Sequence, residues 1–157
     1  MDIEESGLVL SDRVIEFAEP VKPLLSLRVN GSVINSVTER TQALQAWKVR
    51  VASAVKAVRG EERWDPADTY AITLAFKFHL PNHGNQRLDV ENFVKPVIDA
   101  LAAGLFCPPQ INPRDILHWD YDDSNFNTLL VHRLPDAATR GAEGVTLSVS
   151  SARELQA

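Results

Sequence analysis

Between Tyr70 and Phe78 every second residue is bulky and apolar: Tyr70, Ile72, Leu74, Phe76 and Phe78, separated by Ala71, Thr73, Ala75 and Lys77. A period of two is the signature of a β-strand, whose successive side chains point to opposite faces. One face of this strand is bulky enough to lie on a core. The other is small and turns polar toward its end. A strand of this kind needs another layer over its apolar face, and the remaining chain has to supply it.

Two helices fit that requirement. Ser36-x-x-Glu39 reads as a capping box, and after it Leu44, Trp47, Val51, Val55 and Val58 recur at spacings of three and four. Gly60 and Glu61-Glu62-Arg63 close this helix. A second helix buries Phe93, Val94, Val97, Ile98 and Leu101, with Gly104 at its C-cap. Pro96 requires that helix to start near Asn92 or to kink early. Further strands are expected at Leu24–Val29, closed by Asn30-Gly31, and at Ile116–Tyr121, Asn127–Arg133 and Val145–Ser150. Pro81 to Gln86 is a polar loop, and Asp136–Gly144 a flexible one. The expected fold is α+β, a small mixed β-sheet with two main helices packed on it. It forms a single domain over residues 24–157, preceded by an acidic extension over residues 1–23.

At 157 residues and 45% hydrophobic the chain can bury one substantial core. No apolar run approaches the ~20 residues that span a bilayer. The start has neither a basic n-region nor an apolar h-region, so a cytoplasmic protein is expected. Cys107 is the single cysteine, which excludes an intrachain disulfide and reads as a small apolar residue in a Pro-rich loop. Trp47 and Trp119 read as core, and Trp64, near Pro66, as a cap on the sheet edge.

The chemistry concentrates in Asp89-Val90-Glu91-Asn92-Phe93-Val94-Lys95. Two carboxylates stand one residue apart at the mouth of the second helix, and Lys95 follows Glu91 by about one turn. Such residues can be structural: acids at a helix N-terminus oppose its dipole, and Glu91/Lys95 is a common i,i+4 pair. They are also the parts of a hard-cation site, because Mg²⁺ takes oxygen ligands and keeps several waters. A further acid, Asp115, opens the Ile116–Tyr121 segment.

Taken together, Asp89-x-Glu91-Asn92-x-x-Lys95-x3-Asp99-Ala100-Leu101, then Asp115-x4-Asp120-Tyr121, resembles the signature of the RusA family of Holliday-junction resolvases. Glu91 stands where that pattern usually has Asp, and extra residues lie between Leu101 and Asp115. The resemblance implies a Mg²⁺-dependent endodeoxyribonuclease that acts as a homodimer on four-way DNA junctions. It assigns Asp89, Glu91 and Asp115 to the metal, and these with Lys95 to catalysis. Asn92 becomes their companion at the helix start. The products implied carry a 3′-hydroxyl and a 5′-phosphate.

Charge bears on that reading. The net charge is −5 and the pI about 5.3, whereas a duplex-gripping domain is normally basic. Residues 1–23 carry six acids against Arg13 and Lys22, so the rest of the chain is close to neutral. Thr41 to Gly60 contains no acid but holds Lys48, Arg50, Lys56 and Arg59, a candidate phosphate-binding stripe that Arg87 and Asn92 would extend. His79, His83, His118 and His132 lack metal-ligand spacing, though His83 is a candidate phosphate contact. Asp120 is a candidate supporting acid, while Asp122-Asp123-Ser124-Asn125 reads as a turn. Two other readings stay open: a branched-DNA-binding protein without cleavage, and an acidic protein-interaction module.

Overall fold

The computed structural model describes residues 23–36, 42–62, 64–84, 88–118 and 126–152. Strands β1 (Leu25–Asn30), β2 (Tyr70–Lys77), β3 (Phe126–Arg133) and β4 (Gly144–Ser151) form one mixed sheet in the order β1-β4-β2-β3. β4 runs antiparallel to both β1 and β2, while β2 and β3 are parallel. Parallel neighbours need a crossover, and helix α2 (Glu91–Phe106) lies in the connection between them. Helix α1 (Gln42–Arg59) packs against α2. The expected α+β sheet with two packed helices is therefore present.

The alternation in β2 is realised as expected. Tyr70, Ile72, Leu74, Phe76 and Phe78 are all buried, joined in the core by Val145, Leu147 and Val149 of β4 and by Leu25 and Val29 of β1. The opposite face pairs small residues, Thr73 with Ser148 and Ala75 with Thr146. From the helices come Trp47, Val51, Ala52 and Val55, then Phe93, Val97, Leu101 and Leu105.

Several expectations need correction. Val58 is 53% exposed, and Arg59 takes the buried place at the end of α1. Gly104 is not a C-cap but lies inside α2, which ends at Phe106. A Cβ there would stand 2.6 Å from the Ala52 carbonyl oxygen and 2.8 Å from Val55 Cβ, so the glycine lets the two helices approach closely. The segment expected as a strand from Ile116 begins as a 3₁₀ helix, Pro113–His118, with 119–121 outside the described residues. The Asp136–Gly144 loop is tied into the fold by a 3₁₀ turn, Arg140–Ala142, and by the fully buried Glu143. Glu39, half of the capping box, lies outside the described residues, as do Trp119, Asp120 and the Asp122–Asn125 turn.

Pro96 is accommodated by a specific exchange. Proline lacks the N–H that would reach the carbonyl four residues back, here that of Asn92. The backbone N–H of Ser36 donates to Asn92 O instead, at 2.7 Å. The helix thus starts at Glu91 with Pro96 buried inside it, and the loop after β1 is fastened to that start.

Candidate active site at the start of helix α2

The βαβ connection puts the start of α2 near the carboxyl ends of β2 and β3, the edge where open α/β units bind ligands. Phe76 is in register with Arg133, the last residue of β3, and the Arg133 guanidinium reaches Leu88 O at 3.4 Å. Asp89 and Glu91 follow, and both side chains are exposed. The turn that carries them is closed by Asn92 N–H donating to Asp89 O at 3.1 Å and Phe93 N–H to Val90 O at 2.9 Å. Two of the helix-start amides are therefore used within the turn and do not form the open anion cradle that a free helix N-terminus offers. Phe93 anchors the turn from below, packing on Phe78 with ring centroids 4.9 Å apart.

Lys95 is exposed one turn along α2, and its Nζ donates to Asp99 at 2.9 Å. Lys48 of α1 lies 3.9 Å from the other oxygen of Asp99. Two basic side chains from different helices thus share one acid beside the candidate site. Asp115 stands in the 3₁₀ helix that packs against both helices, and its carboxylate is half-buried.

As hard oxygen donors, Asp89 and Glu91 suit Mg²⁺, which is commonly held by one or two carboxylates with waters and substrate phosphates. Among the described residues no three His, Cys, Asp or Glu form a group able to hold a metal ion. Asp115 is therefore not gathered with Asp89 and Glu91 into the three-acid site that the sequence motif suggested.

The basic stripe is also revised. Lys48 and Lys56 are half-buried, and Arg50 is exposed but donates to the Asn30 carbonyl. Arg59 is 5% exposed, and its Nη1 donates to the carbonyls of Gly104, Leu105 and Cys107 at 3.2, 2.8 and 2.8 Å. It caps the end of α2, where free carbonyls gather, and is withdrawn from any DNA surface. Arg87 lies outside the described residues. Asn92 is half-buried, with its carbonyl taken by Ser36.

No family model matches this chain, and no curated protein matches it.

Three groups near the site escaped the sequence reading or were misplaced by it. Arg133 lines a groove of about 340 Å³ with Val90, Glu91, Val94 and Val131, and its guanidinium sits 5.2 Å from the centre of the Phe78 ring. A basic residue closing a strand parallel to β2 is a signal that could have found it. Glu143 accepts from Val33 N–H at 2.8 Å and His79 N–H at 2.7 Å, and its two oxygens lie 2.9 and 3.0 Å from His83 Nε2. His83 is thereby committed to a buried carboxylate, and its ring packs edge-on against Phe93. His79 is held similarly, with Nδ1 2.9 Å from Ala137 O. These bonds fix His79 and His83, just after β2.

Proposed function

We propose that this chain is a Mg²⁺-dependent endonuclease acting on branched DNA, with the four-way junction as substrate and a homodimer as the working unit. The observation that carries the reading is the layout of the motif. Asp89, Glu91 and Lys95 are exposed around one helix start, while Asn92, Phe93 and Pro96 anchor that start in the fold.

Asp89 and Glu91 would hold the metal, with waters and substrate phosphate completing its oxygen shell. Bound Mg²⁺ supplies Lewis-acid activation of the attacked phosphate. Lys95 offers a compact positive charge to the phosphoryl oxygens as negative charge builds on them. Arg133, at the rim of the adjoining groove, and Lys48 add charge to guide the phosphate backbone inward. The edge strand β3 exposes Leu129 and Leu130 at 44% and 53%, which suits pairing with a second copy. A two-fold dimer presents one site to each of two symmetry-related strands of a junction.

The test is cleavage of a labelled synthetic four-way junction, with linear duplex as control, in Mg²⁺ and in EDTA. Symmetric, Mg²⁺-dependent nicks confined to the junction are expected. Binding without cutting would replace this reading with that of a junction-binding protein, and neither would leave the interaction-module reading.

A further inference from the structure

We propose a second ligand site, at the opposite end of α2 from the acids, that takes a small carboxylate with an apolar body. The 16 residues of α2 separate the two regions by about 24 Å at 1.5 Å per residue. Arg59, Trp64, Pro66, Leu105, Phe106, Cys107, Pro108 and Pro109 line a half-open pocket of about 280 Å³. Its walls are aromatic rings, prolines and aliphatic groups. Trp64 packs on Tyr70 at 5.2 Å and Tyr70 on Phe106 at 6.1 Å, which holds the aromatic side in place.

The polar inventory of this cavity is incomplete. Arg59 Nη1 is fully used by the carbonyls that end α2, and Nε donates to Gly60 O at 3.3 Å. Arg59 Nη2 is buried and finds no hydrogen-bond partner among the described residues. The indole Nε1 of Trp64 is in the same condition. A buried donor without an acceptor is costly, more so on a cation. Both want the same thing: an oxygen that accepts.

The surroundings choose among acceptors. A charged donor favours an anion. A phosphate dianion would sit close to the carbonyls of Gly104, Leu105 and Cys107 at the negative end of the helix, which opposes a double charge. A single planar carboxylate meets the guanidinium and the indole N–H with less repulsion, and its apolar body occupies the aromatic and proline walls. The volume lies at the small end of ligand pockets, which fits one ring or a short chain. Neither nitrogen is open to solvent, so a ligand reaches them only if the Arg59 and Trp64 side chains shift.

The test follows the indole N–H resonances of the full-length ¹⁵N-labelled protein, with Trp64→Phe identifying the Trp64 signal. Titration with benzoate is expected to shift that resonance saturably and leave those of Trp47 and Trp119 in place, while benzamide and inorganic phosphate do neither. Arg59→Gln, if the Trp47 resonance shows it folded, is expected to weaken benzoate binding by about tenfold or more, and Trp64→Phe, read by saturation transfer to the benzoate ring, by about fivefold. No saturable shift, an equal shift with benzamide, or unaltered binding in Trp64→Phe would overturn the assignment. The site needs no nuclease activity for its readout.

Discussion

Glu143 has no solvent exposure, yet its carboxylate meets the backbone of Val33 and His79 and the ring of His83. Removing it would leave the buried N–H of Val33, the half-buried N–H of His79 and an imidazole without their acceptor. Glu143→Ala is expected to cost about 3 kcal/mol or more in urea denaturation; a loss below about 1 kcal/mol would contradict this role. Its partners are 110, 64 and 60 residues away in sequence, so no local pattern could announce it. The motif acids were legible because their spacing is local, from Asp89 to Lys95. Arg59 was misread for the opposite reason: helical spacing marks a face, but its bonds reach α2, 45 to 48 residues on. Asp99 carries a prediction of its own. It accepts from Lys95 and lies near Lys48, so Asp99→Asn removes the negative charge that both lysines face. Junction binding is expected to tighten a few-fold by filter retention, with stability altered by less than about 0.5 kcal/mol, since exposed pairs contribute little. Unchanged or weaker binding would argue that these lysines do not face DNA.

At the level of elements, the close approach of α1 and α2 at Gly104 has a measurable consequence. Gly104→Ala gains roughly 1 kcal/mol of helix propensity, yet it inserts a methyl 2.6 Å from Ala52 O. Overpacking of this kind costs about 1–3 kcal/mol, so a net loss of stability is expected in thermal denaturation; a raised midpoint would show that the helices part freely. The strongly periodic elements, β2 and both helices, were readable because one face of each is buried. The C-cap reading of Gly104 failed because a glycine demanded by helix contact looks the same in sequence as one demanded by a left-handed turn. Residues 116–118 offered a β-like apolar run, but they pack as a 3₁₀ helix against α1 and α2. Pro96 was expected inside a helix that starts near Asn92, and the helix does start at Glu91, with Ser36 N–H donating to the Asn92 carbonyl that Pro96 cannot serve.

For the whole molecule, the acidic balance is less hostile to DNA than its sum suggests, because most of the excess lies in residues 1–23. No helix among the described residues is long and apolar enough to cross a membrane. Among the described residues β3 is an edge of the sheet, and the proposed dimer would use it: Leu130→Lys is expected to shift sedimentation from dimer to monomer while the far-ultraviolet spectrum stays native. A dimer unaffected by that change would place the interface elsewhere. Whether the start of α2 is a metal-dependent nuclease site turns on Asp89. Wild type and Asp89→Asn are incubated with the same labelled four-way junction in Mg²⁺, and binding is followed in parallel in Ca²⁺. The account predicts paired nicks from the wild type alone, with junction binding by Asp89→Asn retained or tightened. Equal cleavage by Asp89→Asn would contradict it.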